Sequence, residues 1–191
     1  MPYPDRSRIR SIEKAASPAP ENIMYVTRDR ALTTPAHDTA AAVEELRDRA
    51  EITDALHRFG LGQDLKDKEL FASAFAADAE LDFRPAAAKW GAEPPLMSGR
   101  DTIVTTILAL FTGRVDTTHQ ITNTRITIEG DAARLTALVE AQHLLIADAT
   151  THALLKNPYD VELVRDGERW VIRRLRIDNT WYTGDPTAIF G

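Results

Sequence analysis

The chain of 191 residues contains no cysteine, which excludes disulfides, cysteine-ligated zinc, iron–sulfur clusters and thiol catalysis. It also lacks an excess of positive charge, since 23 Lys and Arg against 29 Asp and Glu give a formal net charge of −6. A nucleic-acid partner is therefore not expected, because phosphate binding needs a basic face. No apolar run reaches the roughly 18 residues of a membrane span, and the N-terminus lacks the apolar core of a secretory signal. The sequence predicts a cytoplasmic protein with no membrane partner, whose chemistry comes from His, Asp, Glu, Arg and Tyr.

Proline is concentrated at the N-terminus. Five of the ten prolines lie within residues 1–39, together with scattered charge and no sustained hydrophobic period. Because proline fixes φ and removes a backbone donor, this stretch favours an extended arm over a packed element. The alternative is a short element around residues 22–26 that docks on the body or on a neighbouring subunit. Residues 40–191 are predicted to form one domain, long enough to bury a core without a metal or disulfide.

Hydrophobic periodicity divides residues 40–191 into helices followed by strands. Apolar residues recur at helical spacing over 40–59, 66–75 and 101–111, and Gly60 and Gly62 are expected to loosen the end of the first helix. Strands are predicted at 79–83, 118–129, 134–147, 159–165 and 169–181, with Asp166-Gly167 as a hairpin turn. The pattern predicts an α+β fold in which three N-terminal helices pack on a curved, mainly antiparallel sheet and enclose a pocket.

Three polar residues are candidates for a site, and each has a structural alternative. His143 shares its phase with the apolar residues of its strand, so it points inward, either as a core histidine or as a pocket residue. His119 begins the preceding strand, but polar residues follow in its phase, which favours a surface or strand-start position. Asp64 follows the first helix, where helix capping is the simplest role. Only a fold that brings the three together would make them a site.

No cofactor or metal motif stands out in the sequence. Gly60-Leu61-Gly62 follows a helix and not a strand, so it is not a dinucleotide-binding fingerprint. The five histidines show no tight ligand spacing, so neither a cofactor nor a metal is expected, although a His/His/Asp metal site stays open as an alternative. Trp181 and Tyr182 either close one end of the pocket or pack in the core.

Several segments, taken in order, resemble a known family. Residues 50–67, 118–128, 141–143, 165–170 and 174–181 resemble the SnoaL-like branch of the nuclear transport factor 2-like superfamily, over about 140 residues that exclude the arm. Within that branch the chain is similar to scytalone dehydratases and hexachlorocyclohexane dehydrochlorinases, which are cofactor-independent lyases with an Asp–His pair in a cone-shaped pocket. The resemblance places that pair on Asp64 and His119 and a second pocket histidine on His143. Gln63 departs from the pattern, because the dehydratases have a tyrosine there.

The resemblance implies a function and partners. We expect dehydratase-type elimination on a small cyclic, polyketide-like or steroid-like hydroxy-carbonyl compound, with Asp64, His119 and His143 as catalytic residues. The expected substrate-binding residues are Phe59, Tyr159, Asn179 and Trp181. The alternatives are a non-catalytic ligand-binding or assembly module and an isomerase of the ketosteroid isomerase type. The family also implies a homodimer or homotrimer formed through the outer face of the sheet, to which the charged strand 169–178 belongs.

Overall fold

The computed structural model describes residues 26–191, in which an early set of helices packs on one sheet. The helices are α1 (Thr39–Asp64), α2 (Lys68–Ser73), α3 (Arg84–Ala87), α4 (Arg100–Phe111) and α5 (Pro186–Phe190), with a 3₁₀ turn at Ala88–Trp90. The strands are β1 (Phe75–Asp82), β2 (Met97–Ser98), β3 (Val115–Glu129), β4 (Ala132–Leu145), β5 (Asp148–Asp166), β6 (Arg169–Ile177) and β7 (Trp181–Gly184). The predicted α+β class is confirmed.

The strands form a single curved sheet of order β2-β1-β6-β5-β4-β3, with β7 paired to β5 at one end. β1 and β6 pair in parallel, and the other pairs are antiparallel. The helices cover the concave face, where the largest fully buried side chains include Phe59, Phe71, Tyr159 and Trp170. Burying each such ring stabilises the fold by roughly 1.5–3 kcal/mol. The core therefore lies between α1, α2 and the inner face of the sheet.

Two strand predictions in the second half are wrong, and Pro158 explains why. β5 begins at Asp148, not at residue 159, and runs straight through the proline. The predicted strand 169–181 is in fact β6 and β7, which pair with β5 on either side of a gap at residues 178–180. Pro158 faces that gap, where its carbonyl accepts from the Asp178 backbone N–H at 3.1 Å. A proline is tolerated there because no ladder donor is required at that position.

The short helices α3 and α5 were not predicted, because neither is long enough to show a hydrophobic period. α5 begins with Pro186 in its first turn, and the side chain of Asp185 accepts from the backbone N–H of Ala188. At its other end the Arg114 guanidinium donates to the carbonyls of Ala188 and Ile189 at 2.9 and 2.6 Å. These contacts hold α5 across one end of the sheet.

The part of the predicted arm that the structure describes lies against the body of the domain. The backbone N–H and hydroxyl groups of Thr33 and Thr34 all donate to the Glu45 carboxylate on α1. The Arg125 guanidinium on β3 donates to the carbonyls of Thr27 and Asp29. Residues 1–25, and with them nearly all of the alternative element at 22–26, lie outside the described residues. In residues 26–191 no helix is both long and apolar enough to cross a membrane.

Candidate functional site

A cavity of about 380 Å³ lies between the helices and the concave face of the sheet. Its volume falls within the usual range of small-molecule sites. Most of its wall is apolar, and six of its lining side chains are aromatic: Phe59, Phe83, Trp90, Phe111, Tyr159 and Phe190. The polar groups that reach it are few, and both His119 and His143 are among them. The cavity suits a small, largely apolar ligand held by a small number of hydrogen bonds.

Asp64 is the last residue of α1. The predicted end of this helix near residue 59 is wrong, since the helix continues through both glycines. The two glycines extend the helix by allowing close packing. A Cβ on Gly60 would lie 3.1 Å from Cβ of His119, and a Cβ on Gly62 would lie 2.4 Å from Cα of Phe71. The absence of side chains at these positions lets the last turn of α1 fit between β3 and α2. That packing brings the Asp64 carboxylate to the start of β3.

The Asp64 carboxylate accepts three hydrogen bonds from β3. Oδ1 pairs with Nδ1 of His119 at 2.7 Å and accepts from the Thr117 hydroxyl at 2.9 Å, while Oδ2 accepts from the His119 backbone N–H at 2.8 Å. Burial alone would raise the pKa of Asp64, but the hydrogen bonds and charge of His119, with the Thr117 hydroxyl, lower it below its ordinary value. The carboxylate is therefore ionised at neutral pH and acts only as an acceptor.

The ionised carboxylate fixes the tautomer of His119. Because Asp64 cannot donate, Nδ1 of the neutral imidazole carries the proton and Nε2 keeps its lone pair. The ring lines the cavity, and only 4% of the side chain is exposed to solvent. Asp64 itself does not line the cavity but lies behind the ring. The pair has the geometry of a general base oriented by a buried carboxylate.

The predicted surface position of His119 is wrong, and a bulge in β3 is the reason. The pairing of β3 with β4 shifts register between Thr122 and Arg125, and Asn123 has a φ of +55°. The extra residue reverses the alternation of side chains along β3. Odd-numbered residues such as Thr117 and His119 point inward before the bulge, and the even-numbered Ile126 points inward after it. The polar residues after Asn123 therefore say nothing about where His119 points.

His143 lies inward on β4, as the alternation predicted, and is only 3% exposed. Its ring packs against Phe190 at 4.9 Å, Phe111 at 5.4 Å and His119 at 5.8 Å between centroids. Burial, together with the neighbouring His119, lowers the pKa of His143 to about 3, so the ring is neutral at pH 7. Its Nδ1 atom is buried without a hydrogen-bond partner among the described residues, which costs free energy unless a ligand group pairs with it.

Lys66 is linked to the Asp64 carboxylate through the hydroxyl of Thr117, on the side of the carboxylate away from the cavity. Its ammonium donates to the Thr117 hydroxyl at 3.1 Å and to the Gln63 carbonyl at 2.9 Å. Burial lowers the pKa of Lys66, while the charges of Asp64 and Asp116 oppose that shift. The Lys66 backbone adopts a φ of +57°, an uncommon conformation for a residue with a side chain. Nothing in the sequence pattern singled out this lysine.

The predicted substrate-binding residues divide into two groups. Phe59 and Tyr159 line the cavity. Asn179 does not reach it, but its amide donates to Oδ1 of Asn157 at 2.9 Å from behind. Trp181 is outside the cavity and 48% exposed. Trp181 on β7 lies directly opposite Lys156 on β5, and directly opposed residues point to the same face of the sheet. The Lys156 ammonium lies over the Trp181 ring, on the face away from the cavity.

Other cavity residues were missed by the sequence reasoning. Asn157 and Gln63 line the wall, as does Phe190 of α5. Asn157 hydrogen-bonds to Tyr159, whose pKa is raised by burial, so the phenol stays protonated. Asn157 comes just before Pro158 and outside the predicted strand 159–165, and Phe190 lies in a helix too short to show a hydrophobic period. The alternation of β5 would have placed Asn157 inward had the strand been recognised.

Metal ligation has no support in the described residues. Within 26–191 no group of three or more His, Asp or Glu side chains is placed to hold a metal ion. The His119, His143 and Asp64 set does not form such a group either, because the Asp64 carboxylate lies behind the His119 ring and does not line the cavity that the two histidines face.

A SnoaL-like domain model matches residues 44–176 of this chain. The chain belongs to the SnoaL-like domain family. The predicted family is thereby confirmed. This SnoaL-like domain is 31% identical over 153 residues to the terrestric acid biosynthesis cluster protein E of Penicillium crustosum, which covers 76% of this chain and 91% of that protein.

Solved structures of other proteins share the fold. A Novosphingobium aromaticivorans protein designated a scytalone dehydratase has a TM-score of 0.62 at 20% identity, covering 73% of this chain and 89% of its own. The hexachlorocyclohexane dehydrochlorinase of Novosphingobium barchaimii also has a TM-score of 0.62 at 20% identity, covering 76% and 94%. At this identity the likeness shows the fold alone.

Proposed function

We propose that this SnoaL-like domain is a cofactor-independent lyase that removes water from a small hydroxy-carbonyl compound. The observation that carries the proposal is the 2.7 Å contact between Asp64 Oδ1 and His119 Nδ1 at the wall of a mostly apolar cavity. A neutral imidazole held in this tautomer has a free lone pair on Nε2 and an anion behind it to stabilise the imidazolium.

The elimination step uses His119 twice. Nε2 takes a proton from the carbon next to the substrate carbonyl, and the electrons of that C–H bond form the carbon–carbon double bond. The C–O bond at the β carbon breaks, and the departing hydroxide takes the proton back from Nε2 and leaves as water. The histidine returns to its neutral tautomer, so the reaction consumes no other reagent. Each positioned proton transfer accelerates such a reaction by about 10²–10⁴-fold.

His143 fits the role of a neutral hydrogen-bonding group. Its low pKa of about 3 leaves almost no imidazolium at neutral pH, so it cannot supply a proton as a charged acid. The His143 ring, whose buried Nδ1 has no partner among the described residues, lies 5.8 Å from the ring of the proposed base, centroid to centroid. These observations favour contact with the substrate oxygen over proton donation to the leaving group. Asn157 and Tyr159, which also line the cavity, are the other groups proposed to hold that oxygen.

The relatives support elimination without establishing the substrate. The dehydratase and the dehydrochlorinase carry names that describe loss of water and of hydrogen halide. The Penicillium relative is named for a biosynthetic gene cluster, which supports a small-molecule substrate. An isomerase would use the same proton abstraction but retain the substrate oxygen, and a binding module would not need an ionised carboxylate behind a cavity histidine.

The test compares His119→Gln with His57→Gln on a panel of cyclic β-hydroxy ketones. His57 is an exposed histidine on α1 and serves as the matched control. We expect the first substitution to reduce kcat/KM by about 10²–10⁴-fold and the second to leave it unchanged. Product mass separates the reactions, because a lyase product has lost one water and an isomerase product has not. Equal turnover by the two variants would refute the proposal.

A further inference from the structure

The charges around the cavity restrict what it can accept. Among the described residues, no lysine or arginine lines the wall. Lys66, the cation behind the site, directs its ammonium to Thr117 and Gln63. Within residues 26–191, the only carboxylate on the wall is that of Glu93, an exposed residue in the loop before β2. A second anion, Asp64, lies directly behind the base.

The remaining polar groups on the wall favour uncharged oxygen atoms. Asn157 is oriented by Asn179, whose amide N–H donates to its Oδ1, and it also hydrogen-bonds to Tyr159, so the two side chains form one uncharged polar pair on the wall. Tyr159 is a protonated phenol, and the neutral ring of His143 has an unpartnered nitrogen. Neutral hydrogen-bonding groups of this kind pair with a carbonyl or hydroxyl, but they do not compensate the burial of a full charge.

We propose that the cavity selects electrically neutral substrates and rejects compounds that would place a carboxylate or phosphate inside it. The proposal rests on the proposed function only in naming the substrate class for the same site. An anion entering the cavity would lose its hydration, meet no cation on the wall and approach the charges of Glu93 and Asp64. A ketone, ester or alcohol of the same shape incurs none of these costs.

The test uses a matched pair of bicyclic probes, methyl 2-naphthoate and 2-naphthoate, with binding followed by calorimetry at pH 7.5. We expect the ester to bind at least about ten-fold more tightly than the acid, because the carboxylate is buried without a partner. Acid binding within about two-fold of the ester would overturn the proposal, and so would an ester that does not bind. Neither measurement involves turnover. The two proposals can therefore fail separately. Equal binding of acid and ester would refute charge selection without affecting the elimination reaction, and a protein that catalyses no elimination could still bind the ester more tightly than the acid.

Thr106 offers a variant that isolates charge as the cause. It lies on the exposed side of α4 and lines the cavity, so Thr106→Lys adds an ammonium at the wall without disturbing the core. We expect it to tighten acid binding several-fold relative to ester binding and to lose this effect at high salt. Thr106→Met is the neutral control of similar length and should leave the ratio of acid to ester binding unchanged. An unchanged ratio in Thr106→Lys would overturn charge as the basis of selection.

Discussion

Replacing Asp64 with asparagine keeps a side chain of the same size behind His119 but removes the carboxylate that orients its ring. The substitution therefore tests whether the carboxylate itself is needed. The carboxylate accepts on both oxygens, from Nδ1 of His119 and the Thr117 hydroxyl on Oδ1 and from the His119 backbone on Oδ2. An amide accepts on one atom only. If its nitrogen takes the Oδ2 place, two N–H donors face each other, at a cost of about 1–3 kcal/mol. If its nitrogen takes the Oδ1 place, it donates to Nδ1 and moves the imidazole proton to Nε2, which can then no longer accept one.

Both orientations impair the base, so we expect Asp64→Asn to lower kcat/KM by about 10²–10⁴-fold with a smaller change in KM. The assay is steady-state elimination of a cyclic β-hydroxy ketone, with the His119 tautomer read from imidazole ¹⁵N chemical shifts. Asp67→Asn is the control, because Asp67 caps α2 by accepting from the Leu70 N–H at 2.9 Å and asparagine caps equally well. Activity of Asp64→Asn within about three-fold of the control, with the tautomer unchanged, would refute the orienting role.

Two further predictions concern stability. In the folded state the pKa of His143 is lowered to about 3, whereas the ring in the unfolded chain takes up a proton near pH 6.5. His143 should therefore lower the free energy of unfolding by roughly 2–3 kcal/mol between pH 7 and 4.5. Urea unfolding of His143→Leu over the same pH range should lack this part of the decline. Gly62→Ala puts a methyl 2.4 Å from Cα of Phe71 and should cost about 3 kcal/mol. Gly60→Ala puts a methyl 3.1 Å from Cβ of His119, which must move by a few tenths of an ångström, so this variant should lose less stability but should also lose activity. A Gly62→Ala melting temperature equal to that of the parent, or full activity in Gly60→Ala, would contradict the close packing of α1.

The parts of the fold that follow from periodicity were predictable. The long helices and β4 show clear hydrophobic periods. The hairpin predicted around Asp166-Gly167 is present, with its turn one residue further on at Gly167-Glu168, because Asp166 pairs with Arg169; Gly167 has a φ of +63°. β5 was cut short because Pro158 looks like a strand breaker until its partner strands are known. A strand tolerates proline where no neighbouring strand needs the missing backbone N–H. Whether such a neighbour is present depends on the arrangement of the whole sheet.

The site shows a similar division. His143 could be placed inward from alternation alone, since β4 has no bulge in that stretch. His119 could not, because the bulge at Asn123 reverses the phase that sequence reasoning assumes to be continuous. The convergence of Asp64 on His119 depends on two glycine contacts between distant elements, and only family resemblance indicated it. The homodimer or homotrimer stays a prediction.

Exchange of substrate hydrogen tests the central claim, that His119 removes a proton from carbon, most directly. A ketone without a leaving group, such as 2-tetralone, is incubated in D₂O with the parent protein, with His119→Gln and with His57→Gln, and loss of the α-proton signal is followed by NMR. We expect the parent and His57→Gln to accelerate exchange equally, and His119→Gln to lose about 10²–10⁴-fold of that acceleration. Exchange no faster than in buffer, or equally fast in His119→Gln, would contradict the account.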